Sequence, residues 1–259
     1  MTERRAMVLI PQRPRVNLHG VQLDQVALRD AVAALRSFLH APGCHQVVTV
    51  NLDFLTMAER NSKFRQIINE ADLAVADGMP LVWASRLKHE RLAERVTGVE
   101  LVHESCRLAV EAQRSVFLLG GGPGIAERAA DALRARYPGI EVAGSYSPPV
   151  GPLAPPEEKR ILEMVNRAKP GFLFVALGAP RQDVWIRAHR HELEASVAMG
   201  VGCVLDLLAG VVRRAPRWMQ HSGLEWAYRL GQEPNRLWRR YLVNDVPTLG
   251  RLVWSAATS

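Results

Sequence analysis

An aspartate follows an apolar run at a point where a carboxylate could do chemistry. Residues 73–76 (LAVA) predict a short buried strand, and Asp77 and Gly78 come directly after it. One interpretation is a plain Asp-Gly turn. The other is a carboxylate at the edge where parallel α/β sheets bind their ligands, placed to accept a proton from a hydroxyl group. The pattern alone leaves both interpretations open.

Basic and aromatic side chains are interleaved near the end of the chain. Residues 213–241 contain seven Arg and only two Glu, together with three Trp and two Tyr. Arg236 and Arg240 are four residues apart and would share a helix face, and Arg229 is seven residues before Arg236. Such a segment fits a solvated helix face, a site for a phosphate-rich ligand or a surface that contacts an anionic membrane.

Other polar residues follow or interrupt apolar runs. Thr49 and Asn51 lie at the end of the predicted strand 47–50, where Asn51 could line a cleft or simply cap the next helix. Asp206 interrupts the apolar stretch 197–212. Because a lone buried carboxylate is costly, we expect Asp206 to have a partner.

Two glycine-containing turns follow predicted strands at helix starts. The first spans residues 120–124 and includes Gly121 and Gly122, and the second begins at Gly178 in LGAPRQD. Glycines let backbone amides approach a phosphate, and a helix N-terminus favours an anion. We therefore predict that Gly121, Gly122 and Gly178 contact a nucleotide, although such a turn is weak evidence by itself.

Several signatures of other chemistries are missing from the sequence. It has no GxGxxG fingerprint, no Walker loop, no HExxH zinc motif and no serine nucleophile elbow. The eight His do not have ligand spacing. We expect neither a bound metal nor a cofactor.

Composition narrows the class of protein. The net charge of +7 is concentrated near the end of the chain and points to acidic partners. The three Cys are scattered, which fits a reducing cytosol better than a disulfide framework. No signal peptide and no run of about 20 apolar residues is visible, so we expect any contact with a membrane to be peripheral.

Short β-rich runs alternate with longer helical patterns along most of the chain. This alternation predicts an α/β, Rossmann-like fold with a mainly parallel sheet covered by helices, preceded by a small β element at 16–23. Strands are predicted at 47–50, 73–76, 116–119, 142–145, 172–177 and 197–200, and the main helices at 26–40, 54–69, 99–113, 125–137, 155–168 and 181–191. Composition shifts near 209–214, so we divide the chain into an α/β core, 1–210, and a helical, basic, Arg- and Trp-rich appendage, 211–259.

A series of motifs between residues 47 and 243 is more specific than any single one. In order they are TVNLDF, INEADLAVADGMPLVW, ERVTG, FLLGGGPGIAE, LGAPRQD, GVGCVLDLLAGVVRRAP and the Arg-rich tail. Together they resemble the WecG/TagA/CpsF glycosyltransferase family. The resemblance implies an inverting transfer of N-acetylmannosamine, or another hexose such as glucose, from a UDP-sugar to a polyprenyl-diphosphate-linked sugar. The product would enter cell-surface or exopolysaccharide biosynthesis.

The resemblance also implies roles for individual residues. Asp77 would be the catalytic base, and Asp206 would lie near the nucleotide. Residues implied to bind substrates are Thr49, Asn51, Arg95, Gln182, Arg229, Arg236 and Arg239. Because no DxD triplet is present to hold a metal on the diphosphate, we expect the appendage arginines to neutralise the leaving UDP.

The implied partners are the UDP-sugar donor, the lipid-linked acceptor and an anionic membrane surface, and no nucleic acid. The expected location is cytoplasmic, at the inner face of the plasma membrane, with the appendage completing the active site. Self-association into a homo-oligomer is left open. Two alternatives are an NAD-type Rossmann oxidoreductase, whose fingerprint is missing, and a non-catalytic basic adaptor for a membrane or nucleic acid.

Overall fold

A six-stranded parallel sheet forms the centre of the protein. The computed structural model describes residues 13–88 and 91–257, except for the side chains of 221, 236, 253 and 255–257. The strands are β1 (Arg15–Leu18), β2 (Val21–Asp24), β3 (His45–Val50), β4 (Leu73–Ala76), β5 (Val116–Gly120), β6 (Val142–Tyr146), β7 (Phe172–Ala176) and β8 (Val197–Gly200). The sheet has the order β4-β3-β8-β7-β5-β6, and every neighbouring pair is parallel. The predicted α/β class is confirmed.

Helices cover both faces of this sheet. They are α1 (Leu28–Phe38), α2 (Leu52–Arg60), α3 (Ser62–Asn69), α4 (Met79–Leu87), α5 (Gly98–Glu111), α6 (Ile125–Arg136), α7 (Pro155–Ala168), α8 (Arg181–His189) and α9 (Val204–Leu208). Alternate strand residues, such as Val47 and Val48, belong to apolar clusters on opposite faces. This double covering explains why β3, β4, β5, β7 and β8 are buried along their whole length and why all of them except β3 are continuous apolar runs.

One predicted helix is two helices in the structure. The apolar periodicity of 54–69 predicts a continuous helix, but α2 ends at Arg60 and α3 begins at Ser62. Asn61 has an extended backbone between them, and its side chain accepts the backbone N–H of Phe64 at 3.1 Å. The prediction was wrong here because an N-cap interrupts the helix without disturbing the apolar spacing.

The predicted β element near the start is an antiparallel hairpin of β1 and β2. Its turn places His19 at φ 52° and Gly20 at φ 83°, the left-handed region that two-residue hairpin turns use. Asp24 at the end of β2 is buried and accepts the backbone N–H of Ala74 at 2.8 Å. The hairpin is thereby fixed to β4, one of the strands that position the site.

The appendage is a series of short helices that packs back on the core. They are α10 (Arg217–His221), α11 (Glu225–Gln232), α12 (Pro234–Trp238), a π-helical segment (Arg239–Asp245) and α13 (Val246–Ala257). Leu252 of α13 is fully buried in the apolar cluster that contains Leu55 of α2 and Leu81 of α4. Within the described residues, no helix is both long enough and apolar enough to cross a membrane.

Candidate active site

Asp77 lies directly after β4, as the sequence predicts. Its backbone N–H donates to the carbonyl of Val50 at 2.7 Å and so continues the pairing of β3 and β4 beyond the strand end. Its Oδ2 accepts the backbone N–H of Gly98 at 3.0 Å. Gly98 is the first residue of α5, where unpaired amides and the helix dipole favour a carboxylate. Main-chain groups thus hold the half-buried carboxylate at the sheet edge.

The surroundings make Asp77 a stronger base than an ordinary aspartate. Burial raises its pKa from 3.8 to about 6, although the hydrogen bond from Gly98 lowers it. Glu225 of α11 raises the pKa further by repulsion, while Arg229 and Arg95 lower it by attraction. A carboxylate with a pKa near 6 is mostly ionised at neutral pH and still binds a proton readily, which suits a general base.

Thr49, on β3, lies next to Asp77. It is buried, and its Oγ1 donates to the carbonyl of Gly200 on β8 at 3.3 Å. A Cβ added at Gly98 would lie 3.4 Å from Thr49 Oγ1 and 3.6 Å from Asp77 Oδ2. The ends of β3, β4 and β8 and the start of α5 therefore meet at one place.

Arg95 connects this place to the appendage. Its Nη1 lies 3.2 Å from Oε2 of Glu225, and its Nη2 lies 3.9 Å from Oε1 of Glu100. Arg214 lies 3.6 Å from Glu225 Oε1 and 4.0 Å from Glu100 Oε1. We call Arg95, Glu100, Arg214 and Glu225 the Arg–Glu network. The family resemblance implies a role for Arg95 but gives none to the other three members.

Arg229 brings a second guanidinium from the appendage to the site. Its Nη2 contacts Sγ of Cys203, which follows β8. Burial lowers the pKa of Arg229, but its interactions with Cys203, Tyr241, Glu225 and Asp77 outweigh burial and raise the pKa above its ordinary value. The side chain therefore stays charged beside Asp77, as a group that binds a diphosphate must.

Asn51 has a structural contact of its own. Its side chain accepts the backbone N–H of Phe54 at 3.2 Å and caps α2. The capping interpretation of the sequence is confirmed, while a contact of Asn51 with substrate stays a prediction.

The glycine turn after β5 is required by packing. Gly120 has φ 110°, and a Cβ there would lie 2.5 Å from the carbonyl of Ala176 on β7. Gly121 has φ 77°, and its Cβ would lie 2.6 Å from the side chain of Ile125. Gly178 has φ 80° before α8. These conformations explain the glycines, and the nucleotide contacts of Gly121, Gly122 and Gly178 stay predictions.

Gln182 and Asp183 of α8 lie under the end of β8. Gln182 is buried, and its Oε1 accepts the backbone N–H of Gly202 at 3.1 Å. Asp183 is fully buried, and among the described residues neither carboxyl oxygen forms a hydrogen bond of ordinary geometry, although the Gln182 amide lies close enough to act on its charge. Burial raises the pKa of Asp183 to about 7, partly offset by the Gln182 amide. No sequence pattern predicts this burial, because an aspartate in the first turn of a helix usually faces solvent.

The remaining predicted site residues are more dispersed. Asp206 is half-buried in the first turn of α9, and its carbonyl accepts the backbone N–H of Val211 at 3.0 Å. Arg239 is exposed, with its guanidinium 5.3 Å from the ring centroid of Trp238. The side chain of Arg236 lies outside the described residues. The structure thus brings Thr49 and Asp77 together with two arginines, Arg95 and Arg229, and leaves Arg239 on the surface.

A carboxylate base and guanidinium groups at the carboxyl edge of a parallel α/β sheet fit the class of glycosyl transferases, and the comparisons agree. Residues 16–259 match the model of the glycosyl transferase WecG/TagA/CpsF family, so the chain belongs to that family. This membership decides against the oxidoreductase and adaptor alternatives.

Staphylococcal enzymes are among its curated relatives. The chain is 31% identical over 227 residues to the N-acetylglucosaminyldiphosphoundecaprenol N-acetyl-beta-D-mannosaminyltransferase of Staphylococcus aureus strain MW2, a match that covers 87% of each chain. It is 32% identical over 217 residues to the enzyme of the same name from strain NCTC 8325 / PS 47, covering 83% of this chain and 84% of the relative.

Proposed function

We propose that this glycosyltransferase moves N-acetylmannosamine from UDP-N-acetylmannosamine to an N-acetylglucosamine unit linked to undecaprenyl diphosphate. The names of the Staphylococcus aureus relatives support this sugar and this acceptor. Another UDP-hexose, such as UDP-glucose, is the alternative donor. The product would serve cell-surface or exopolysaccharide synthesis.

The position of Asp77 is the observation that carries this proposal. In the proposed step an acceptor hydroxyl attacks the anomeric carbon from the face opposite the UDP. The C–O bond to the new sugar forms, the bond to the UDP oxygen breaks, and the hydroxyl proton passes to the Asp77 carboxylate. The anomeric centre is inverted. The raised pKa of Asp77 supports this role because the group is ionised before the reaction and holds a proton afterwards.

Negative charge grows on the diphosphate as UDP leaves. Among the described residues, Arg95 and Arg229 are cations whose charge acts on Asp77, and they could stabilise the diphosphate. They are held before substrate arrives, Arg95 by the Arg–Glu network and Arg229 against Cys203, so little reorganisation accompanies the reaction. We propose that these guanidinium groups act without a metal ion.

The surface of the appendage supports a role in binding a lipid-linked acceptor. Large apolar side chains are exposed along it: Trp218, Trp238, Leu242, Val243, Val246 and Trp254. Exposed arginines, including Arg239 and Arg251, lie among them. Aromatic and basic side chains together favour an anionic membrane interface, so we propose peripheral binding at the inner face of the plasma membrane.

Replacing the base tests the proposal. Asp77→Asn keeps the shape of the side chain but cannot accept the proton, so we expect turnover to fall by about 10²–10⁴-fold while UDP binding changes little. UDP release and product mass would be measured with a short synthetic lipid-diphosphate acceptor and a panel of UDP-hexoses.

Asp131→Asn is the matched control, since Asp131 is exposed on α6 and pairs only with the neighbouring Arg134 at 2.9 Å among its described contacts. Near-normal turnover of Asp77→Asn would rule out the assigned base. Absence of sugar transfer by the unaltered protein from every UDP-hexose would rule out the proposed reaction.

A further inference from the structure

The Arg–Glu network joins three separate parts of the chain beside the base. Arg95 lies in the segment before α5, Glu100 lies in the first turn of α5, and Arg214 precedes α10. Glu225 is the first residue of α11. Its carboxylate lies between the two guanidinium groups, 3.2 Å from Arg95 and 3.6 Å from Arg214. Glu225 is thus the residue that α11 contributes to the Arg–Glu network.

A continuous set of contacts leads from this network to Asp77. Oε2 of Glu100 accepts the backbone N–H of Thr97 at 3.0 Å and its hydroxyl at 2.8 Å. Thr97 Oγ1 accepts the backbone N–H of Glu100 at 3.1 Å, which completes a capping box at the start of α5. The next residue, Gly98, donates to Asp77. The network therefore bears directly on the turn that holds the base.

The Arg–Glu network is partly shielded from solvent, so each of its charges needs the opposite charges of the other members for compensation. The side chain of Arg95 is 12% exposed and that of Glu225 is 23% exposed. Within the described part of the chain, Nε and Nη2 of Arg214 are buried and form no hydrogen bond, so Glu225 and Glu100 compensate these groups by charge. Removing one charge from such a set leaves the opposite charge uncompensated.

We propose that Glu225 is a positioning residue for the reaction, which ties the docked appendage to Arg95 and to the capped turn that holds Asp77. The inference rests on the proposed role of Asp77 as base. When α11 is docked, Glu225 holds Arg95 at the edge of the cleft and places a negative charge near Asp77. When α11 is displaced, Arg95 loses this partner and Asp77 loses the repulsion.

The electrostatic part of the inference has a definite sign. Among the described residues, the groups that act on Asp77 are the Gly98 amide, Glu225, Arg229 and Arg95. Glu225 raises the pKa of Asp77, so its removal should lower that pKa. Arg214 acts through Glu225, with which it pairs, so its removal should leave the Glu225 carboxylate less compensated and thereby raise the same pKa.

A pair of variants with opposite expectations tests this. Glu225→Gln should lower turnover about tenfold and move the acidic limb of the kcat/KM profile down by about half a pH unit. Arg214→Gln should also lower turnover but move the limb to higher pH.

The double variant should lose no more than about threefold beyond the worse single variant, because both changes break one network. Glu233→Gln removes the same charge from the appendage outside the network and should leave the limb in place.

A role limited to folding predicts a different result. A folding role would leave the acidic limb unmoved in both Glu225→Gln and Arg214→Gln, or would move it in the same direction in both. Either result overturns the inference, and so does a shift in Glu233→Gln equal to that in Glu225→Gln. If Glu225→Gln does not fold, as judged by circular dichroism and melting, Arg214→Gln alone must show the upward shift. Asp77→Asn is measured alongside to keep the two proposals separate. If Asp77→Asn stays active, the assignment of Asp77 as base is wrong. If Asp77→Asn is inactive but the limbs of Glu225→Gln and Arg214→Gln do not move, only the positioning role of Glu225 is wrong.

Discussion

The core and the appendage build their parts of the site by different means. In the core, strand ends and main-chain hydrogen bonds fix Asp77, and the strands that carry it are buried throughout. In the appendage, α11 has no buried residue in its described part and contributes charged side chains through ion pairs. The core thus fixes the position of Asp77, whereas the appendage contributes charged side chains whose effect on Asp77 depends on α11 being docked against the core.

Removing the appendage should produce the largest effect on activity. A chain ending at Gly210 lacks Arg229 and Glu225, so we expect turnover to fall more than about 10³-fold even with a water-soluble acceptor. The α/β core should still fold, as judged by circular dichroism. Because Leu252 packs against α2 and α4, its loss should also lower the melting temperature.

A comparison of lengths sharpens this result. A chain ending at residue 245 keeps α11 but lacks α13, and should be less stable than the full chain while keeping more activity than the chain ending at Gly210. Full activity of the chain ending at Gly210 on the soluble acceptor would show that the core alone supplies the positive charge that the diphosphate needs.

Single arginines of the appendage should separate its two roles. Arg229→Ala should lower turnover by about 10–10²-fold with both soluble and lipid-embedded acceptors, because Arg229 lies inside the site. Arg239→Ala should have a smaller effect, confined to liposomes and fading at high salt, since its side chain is exposed. An equal loss for Arg239→Ala with the soluble acceptor would mean that substrate draws Arg239 into the site, as the family resemblance implies.

The buried Asp183 should give the smallest effect, on stability. Its pKa is raised from 3.8 in an unfolded chain to about 7 in the fold, so the fold disfavours the ionised form. Its unfavourable contribution appears as pH rises above 3.8 and is complete above about 7. Asp183→Asn removes it and should raise the melting temperature by about 3 °C or more at pH 8, and by less at pH 5. The exposed Asp131→Asn should show no such pH dependence, and the same absence for Asp183→Asn would contradict the burial argument.

Local patterns predicted much of the core and its base. Buried parallel strands are continuous apolar runs, and the residue that follows such a run must lie at the carboxyl edge, which is why Asp77 could be found. The helix predicted at 99–113 is confirmed as α5, and its exact start at Gly98 follows from the capping-box spacing of Thr97 and Glu100. Strand order could not be predicted, because β7 and β8 enter between β5 and β3 through contacts between distant residues.

The appendage resisted prediction for a different physical reason. Helical spacing assigns Arg236 and Arg240 to one face only if the helix is regular, but α12 ends at Trp238 and a π-helical segment follows. Arg240 instead pairs with Asp53 of α2 at 2.9 Å. The contact of Glu225 with Arg95 spans 130 residues and depends on docking, which no local pattern records.

The donor to Asp77 is a main-chain amide, and this sets what mutational scanning can detect. Alanine at position 98 would keep the N–H, so a side-chain scan can replace the acceptor Asp77 but cannot remove this donor. Proline has no N–H and is favoured at the first position of a helix, and Thr97 already has the extended backbone, φ −91° and ψ 151°, that precedes a proline. At position 98, proline is therefore the genetically encoded residue that would remove the donor while keeping the Asp77 carboxylate and α5 in place.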